Sequence, residues 1–390
     1  MSTFMVKVLP IKKLEKHPNA DTLALAYVND YVSIVGLTTF SEGDLVAYIP
    51  EGAVVPDDVA AVMGLEGKIG NRLKAIKLRG IVSQGILYPI KNKVLTLPNG
   101  TEVSVEEGDD VMELLGITKY VPEIPANLSG EVFASDPRYT VKFDIENIKN
   151  YPDIILEGEE VVFTEKLHGT FTQIVYLPPR FIEAEGLEYK ETFGDKNGLL
   201  MVGSKSLSAD GLMFKANKQN DNNVYVKVIV EQDMLSKFTE QFKEEELPVI
   251  MLGETFGSDV QDLRYGFTHR GQNGFRAFAI YKGLRSRFKV LNSDELDMVL
   301  SNMMIERVPV LYRGPFSKEV MNEHTNGLET VSGKEMHIRE GIVITPVIER
   351  YDNQIGRVIL KNVSSDYLLR KGKATEFQYC LLYTSPSPRD

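Results

Sequence analysis

The chain has 390 residues, 43% of them apolar and 25% charged, with a formal net charge of −11. That length exceeds one ordinary core and predicts two domains, and the composition is that of a soluble globular protein, expected in the cytoplasm. No apolar run suits a membrane span, no signal-peptide pattern opens the chain, and the single cysteine, Cys380, excludes an internal disulfide and a cysteine-based zinc site. The acidic balance argues against a surface coated with nucleic acid, yet leaves room for a local basic groove.

The first 120 residues or so read as short strands separated by turns. Val6–Ile11 alternates, His17-Pro18-Asn19-Ala20-Asp21 makes a polar turn, and Leu23–Val28 and Tyr31–Val35 flank an Asn29-Asp30 hairpin turn. Asp44–Ile49 adds a strand closed by Pro50. The stretch resembles an OB-type barrel, and its His17–Asp21 turn is similar to one in tRNA-binding OB modules. His17 reads as a turn residue, because no other histidine lies in this half. Lys68, Arg72, Lys74, Lys77 and Arg79 form a basic run that no acidic residue interrupts as far as Lys93. It suits either a nucleic-acid groove or a solvated strand pair.

Residues 121–140, rich in Pro, Gly and Ser, are expected as a linker between a domain at 1–120 and a second at 141–378. Phe143–Tyr151 has helical spacing of Ile145 and Ile148, with Asp144 as N-cap. Then comes Val162-Phe163-Thr164-Glu165-Lys166-Leu167-His168-Gly169-Thr170. Two β-favouring apolar residues run into a Glu-Lys pair, and a Gly-Thr turn lifts the chain away. Lys166 would end a strand, and Gly169 would leave room for a ligand's phosphate. A lysine there can be a nucleophile, an ion-pair partner or a solvated charge.

Further on, β-rich segments surround Ile174–Tyr176 and Leu199–Lys205. The spacing of Val226, Ile229, Val230, Met234 and Phe238 predicts one helix from Tyr225 to about Glu245, with that face in the core. Val249–Gly253 reads as a buried strand ending at Glu254, and a helix over Ser293–Met304 has Ser293 and Asp294 as capping candidates. Phe275–Ile280 alternates and offers an aromatic to a base, Glu340 stands at the entrance to a buried strand Gly341–Thr345, and Lys361 ends a strand begun at Arg357. The mixture lacks regular βαβ alternation, so the fold class is α+β with antiparallel sheets and flanking helices.

Together these pieces supply a nucleophile, carboxylates for a cation, an aromatic shelf and a second lysine. The ordered set resembles the covalent nucleotidyltransferase superfamily of polynucleotide ligases and capping enzymes. Glu165-Lys166-Leu167-His168-Gly169 is similar to the RNA-ligase form of its Lys-x-x-Gly motif. With an OB-type module ahead of the transferase domain, the chain resembles the ATP-dependent RNA ligases of the Deinococcus/Naegleria type, from the start to about Phe377.

That resemblance implies a lysyl-AMP on Lys166, formed from ATP with Mg²⁺ or Mn²⁺, then AMP transfer to a 5′-phosphate end and sealing by a 3′-hydroxyl. It implies that Glu165 holds the adenine with Phe278 stacked on it, and that Ser204 and Lys205 touch the ribose or the end being joined. Glu254 would contact the ribose or the metal's water shell, Glu340 would organise the metal, and Lys361 would hold the α-phosphate. Partners would be RNA ends or a nicked duplex with an RNA 3′-hydroxyl strand, with no membrane and no second subunit.

Three departures stand out: His168 where many ligases have an acid, Ala279 in place of a common aspartate, and Val363 in place of a lysine whose charge Arg357 or Lys371 would supply. His269 and Arg270, near Arg264 and Arg276, suit either phosphate contacts or a solvated loop, whereas His324 and His337 are too isolated for a metal site. Residues 379–390 differ in composition and are excluded from the fold, and too little chain follows Lys361 for a further OB domain. The rival readings are a GTP-using capping guanylyltransferase and an inactive protein that binds RNA through the barrel.

Overall fold

A computed structural model describes residues 4–121, 126–188 and 190–370, so Lys371 and the tail at 379–390 lie outside the described residues. The chain divides into two compact units. One comprises Ser2–Glu123 together with Glu146–Ile154, and the other comprises Ile124–Ile145 and the chain from Ile155 onward.

The N-terminal unit is built from antiparallel strands. Lys7–Pro10, Leu45–Ile49 and Ile86–Pro89 form one three-stranded sheet, and Lys13–Lys16, Leu23–Val28 and Tyr31–Gly36 form another. Val8, Ala47, Ile49, Tyr88 and Leu95 fill one core, while Ile11, Ala26, Val28 and Val46 fill a second. The Asn29-Asp30 turn closes with Asn29 at φ 50°, a left-handed conformation that Asn tolerates. His17 is buried, and its Nδ1 accepts the Asn19 N–H at 3.0 Å, so the ring ties the turn together. Lys68, Arg72, Lys74, Lys77 and Arg79 are all exposed. Lys77 and Arg79 sit at a hairpin of Ile76–Leu78 and Ile81–Ser83, turned by Arg79-Gly80 with both φ angles positive, and Arg72 packs its guanidinium 4.9 Å from the Tyr120 ring centroid.

The C-terminal unit is organised by a six-stranded antiparallel sheet in the order Phe193–Asp195, Gly198–Ser204, Thr170–Leu177, Val249–Gly257, Asn273–Lys282, Lys289–Val290. Its strands are apolar on both faces. Ile174, Tyr176, Leu200, Val202, Val249 and Met251 point into a core with the helices Val224–Glu231, Met234–Phe242 and Ser293–Asn302. Val175, Leu177, Leu199, Met201, Ile250 and Leu252 point the other way, against Tyr139, Phe181 and Ile182. A second sheet places Gly341–Pro346 between Leu360–Val363 and Glu160–Glu165, with Val310–Pro315 beyond.

Four expectations change. Phe143–Tyr151 is not a helix: a two-residue strand, Glu146–Asn147, leads into a 3-10 turn at Ile148–Asn150 capped by the Asn147 side chain. Ile145 and Ile148 have helical spacing but belong to different compact units, so no common face buries them. Within the segment expected as linker, Val132–Ala134 pairs with Leu212–Phe214. The single helix over 225–245 is two, broken at Asp233 with φ 48°. The break lets Met234, Phe238 and Phe242 return to the sheet and leaves Val230 65% exposed, outside the core. The helix at Ser293 is capped one residue earlier, by Asn292 in a reciprocal capping box with Glu295.

One irregularity positions a candidate site residue. Leu252 pairs with Ala279 but Gly253 pairs with Ala277, so Phe278 is the extra residue of a β-bulge. Before it, Phe275 and Ala277 face the helical core; after it, Ala279 and Tyr281 face the opposite side. The bulge turns Phe278 out of the alternation. Gly253 makes this possible, since a Cβ there would lie 2.3 Å from the Phe275 ring and 2.6 Å from the Arg276 carbonyl oxygen. Gly253→Ala is therefore expected to cost about 1–3 kcal/mol of stability through overpacking, measured by denaturant unfolding, and to weaken nucleotide binding by displacing Phe278.

Candidate active site

Between the two sheets of the C-terminal unit lies a cleft of about 240 Å³. Glu165, Lys166, Val343, Thr345 and Lys361 line it from one side, and Phe171, Glu254 and Phe278 from the other. Lys166 follows the strand Glu160–Glu165, and its N–H is bonded to the Gly341 carbonyl at 2.9 Å, so the strand ladder fixes where the lysine emerges.

The Lys166 Nζ lies 2.6 Å from Glu340 Oε1, with 24% of the lysine side chain and 11% of the glutamate exposed. Glu254, across the cleft floor on the strand Val249–Gly257, adds a second carboxyl near the same ammonium. Burial pushes Glu254 up to about 8, with the Glu340 charge adding to it and Lys166 opposing. Burial also works against the Glu340 charge, but Lys166 and His168 outweigh it and draw that carboxyl down to about 2. Lys166 itself is held above its ordinary value, because Glu340 and Glu254 overcome the effect of burial. At neutral pH the trio therefore holds one ammonium, one carboxylate and one largely protonated carboxyl.

Glu165 is buried, and its Oε2 accepts the Thr330 N–H at 2.9 Å and the Thr330 hydroxyl at 2.6 Å. Its Oε1 has no hydrogen-bond partner, an acceptor left for a donor in the cleft. Phe278 belongs to an aromatic group with Phe143 and Phe171, at centroid distances of 5.2 and 6.0 Å. Lys205 lines the same cleft and pairs with Asp144 at 2.9 Å. Lys361 pairs in register with Val343. Arg357 also lines the cleft, yet its Nη2 and Nε reach Glu349 at 2.5 and 2.8 Å, so its charge is already matched by a carboxylate.

Two residues expected at the site are not on the cleft wall. Gly169 is not on the cleft lining; a Cβ there would meet the Thr255 carbonyl oxygen at 2.3 Å and the Glu254 side chain at 2.9 Å, so glycine allows the neighbouring strands to pack closely. Ser204 ends its strand and starts the helix Lys205–Ala209, where its carbonyl accepts the Ser208 hydroxyl at 2.6 Å. Glu254 sits inside a continuous strand instead of at a strand end. Ala279 is buried against the apolar face of the sheet, a position with no place for an unpaired carboxylate. His269 and Arg270 lie exposed, with Arg270 3.5 Å from Asp259.

His168 is buried within a cluster that sequence reading did not find. Its Nε2 is 2.5 Å from Asp262 Oδ1, its Nδ1 is 2.8 Å from the Tyr367 hydroxyl and 3.6 Å from Glu340 Oε2, and its backbone N–H donates to the Tyr265 hydroxyl at 2.7 Å. Among the described residues, no three His, Cys, Asp or Glu side chains cluster as a metal site. Glu254 and Glu340 nevertheless suit Mg²⁺ or Mn²⁺, since Mg²⁺ commonly takes one or two carboxylates and fills its shell with water and substrate phosphates. Burial holds Glu254 up, and a bound cation would favour its ionised form.

The RNA ligase family profile matches residues 159–363, and an OB-fold domain profile matches residues 5–90. Among solved structures, a Naegleria gruberi RNA ligase variant with ATP and Mn is 21% identical, with a TM-score of 0.71 over 94% of this chain and 98% of that one. A second variant of that ligase with ATP and Mn is 20% identical, with a TM-score of 0.69 over 93% and 97% of the two chains. At that identity the likeness is one of fold. The phenylalanine–tRNA ligase beta subunit of Clostridium tetani is 32% identical over 127 residues, 29% of this chain and 14% of that protein. The chain thus spans about one seventh of the length of such curated relatives. Among the described residues, no helix is long and apolar enough to cross a membrane.

The two buried carboxyls predict opposite pH behaviour. Glu254, raised in the folded state, favours folding while protonated, and that contribution is lost as pH rises from the unfolded value near ~4.3 through about 8. Glu340, lowered in the folded state, stabilises above the unfolded value and loses its contribution as pH falls towards about 2. Glu254→Gln should therefore be more stable than wild type at pH 9, with the gap closing by pH 5. Glu340→Gln should be less stable at pH 7, with the gap narrowing under acid. Denaturant unfolding of the three proteins across this range checks both signs.

Proposed function

Because the chain belongs to the RNA ligase family, we propose that it seals RNA 5′-phosphate and 3′-hydroxyl ends with ATP, carrying AMP on Lys166. The observation that supports this most is Lys166 at the mouth of a cleft, paired with Glu340, neighboured by Glu254 and faced by an aromatic group. Such a lysine needs a route for its proton and a ligand held in line.

Lys166 is protonated in the resting site, so attack requires that Nζ first lose a proton. Glu340, 2.6 Å away and held down to about 2, stabilises the ammonium, and the proton leaves to solvent or to a phosphate oxygen of the nucleotide once that pairing is weakened. The Nζ lone pair then forms a bond to the α-phosphorus of ATP while the bond to pyrophosphate breaks, and pyrophosphate leaves with that electron pair. An oxygen of the RNA 5′-phosphate next displaces Lys166 from the AMP phosphorus. Finally the RNA 3′-hydroxyl oxygen, losing its proton to solvent, bonds to the adenylylated 5′-phosphorus while the anhydride bond to AMP breaks, AMP leaves with that electron pair and the phosphodiester is complete. A divalent cation held by Glu340 and Glu254 would supply positive charge to the phosphate oxygens.

Phe278, with Phe143 and Phe171 beside it, would grip the adenine face by stacking, and Glu165 Oε1 would accept a hydrogen bond from the nucleotide. Lys361 would hold the α-phosphate, and Lys205 would meet the ribose or the strand end. In the N-terminal unit, Lys68, Arg72, Lys74, Lys77 and Arg79 would contact RNA phosphates.

Incubation with α-labelled ATP and Mg²⁺ tests the reading. Label should remain on the denatured wild-type protein, disappear in Lys166→Ala and pass to RNA bearing a 5′-phosphate. Labelling by GTP but not ATP would replace the ligase with a capping-type enzyme, and no labelling with any divalent cation would exclude nucleotidyl transfer.

A further inference from the structure

His168 occupies a position next to the nucleophile, yet its ring is held by a residue far away in sequence. Asp262 Oδ1 lies 2.5 Å from Nε2, and Arg370 Nε approaches the other carboxylate oxygen at 3.3 Å. Tyr265, three residues on from Asp262, takes the His168 backbone N–H at 2.7 Å. The short run from Asp262 to Tyr265 therefore fixes both the ring and the main chain of His168. The Arg370 guanidinium packs 3.6 Å from the Tyr367 ring centroid, and the Tyr367 hydroxyl reaches His168 Nδ1 at 2.8 Å. Nε2 thus faces Asp262 and Nδ1 faces the Tyr367 hydroxyl, and this ring edge lies 3.6 Å from Glu340 Oε2. Glu340 Oε1 in turn holds Lys166. Hydrogen bonds join Asp262 to His168 and Glu340 to Lys166, and His168 Nδ1 stands 3.6 Å from Glu340 Oε2 between the two pairs.

We propose that Asp262 is a positioning residue for nucleotidyl transfer, fixing the His168 imidazole so that its Nδ1 edge braces Glu340 against Lys166. This rests on the ligase reading above. An imidazole without a fixed partner on Nε2 can turn about its side-chain torsions, and the ring edge packed 3.6 Å from Glu340 Oε2 then loses its fixed place. The arrangement also shows how the site works with a histidine beside its nucleophile: the carboxylate is present, displaced outward by one ring. Because Asp262 acts through His168, removing it should slow the transfer step while leaving ATP binding largely intact.

The test measures lysyl-AMP formation in single turnover at varied ATP for wild type, Asp262→Asn, His168→Asn and the double variant. Asp262→Asn should lower the maximal rate roughly 10- to 100-fold, the range common for residues that orient site groups, with the half-saturating ATP changed less than about threefold. The double variant should be no slower than His168→Asn alone, since the second change removes a contact already lost. Asp262→Glu should recover part of the rate. Additive losses, or an Asp262→Asn rate equal to wild type, would overturn the proposal.

A second readout needs neither ATP nor a variant that folds: the ring N–H resonances of ¹⁵N-labelled wild type. The His168 ring proton donated to a carboxylate should appear far downfield. A His168 ring N–H at an ordinary exchange-broadened position would overturn the Asp262 contact even if labelling succeeds. Failure of wild type to take any label, with the downfield resonance present, would instead overturn the ligase reading on which the proposal rests.

Discussion

Everything at the site depends on keeping one ammonium in a low-dielectric cleft. A buried charge persists only when paired, and Lys166 is paired with Glu340 at 2.6 Å while Glu254 lies close enough to add to the attraction. Two ionised carboxylates beside one ammonium would leave an excess of negative charge, and burial resolves the excess by keeping Glu254 largely protonated at neutral pH. The same arrangement that stabilises the resting lysine keeps it from acting as a nucleophile. On the proposed ligase reading, substrate and cation would alter the local charge before Nζ attacks, linking nucleotide binding to activation of the lysine.

The backbone serves this pairing with two sheets that meet at the cleft. One delivers Lys166, Glu340 and Lys361 from neighbouring strands or strand entrances, so their spacing is set by ladder hydrogen bonds. The other is buried on both faces over most of its length and reaches the cleft through Phe171 and Glu254, with Phe278 added at a bulge. Gly169 and Gly253 allow the backbones to come close enough, and neither requires a left-handed φ to do so.

Much of this was legible in the sequence. The strand ending at Lys166, the α+β class and the antiparallel barrel strands follow from local apolar alternation and turn chemistry, which need no knowledge of distant contacts. The order of Lys166, Glu254, Phe278, Glu340 and Lys361 carried the resemblance to ligases. What escaped was non-local. Asp262 is 94 residues from His168, and nothing in Gln261-Asp262-Leu263-Arg264-Tyr265 marks it as a partner. The bulge is invisible because Phe275–Ile280 alternates well enough to read as a regular strand. The spacing of Ile145 and Ile148 predicts a helix over Phe143–Tyr151 that does not form, since those two residues belong to separate units. Ser204 and Gly169 suited ligand contacts by type, but packing uses them for a helix start and a close strand approach.

The central claim is that the nucleotide becomes bonded to one nitrogen, Lys166 Nζ. Peptide mapping by tandem mass spectrometry, after brief incubation with ATP and Mg²⁺ under conditions that preserve an acid-labile P–N bond, tests it most directly. The account predicts AMP on the peptide containing Lys166 and on no other. AMP found on Lys205 or Lys361 instead, in a protein that still joins RNA ends, would contradict it.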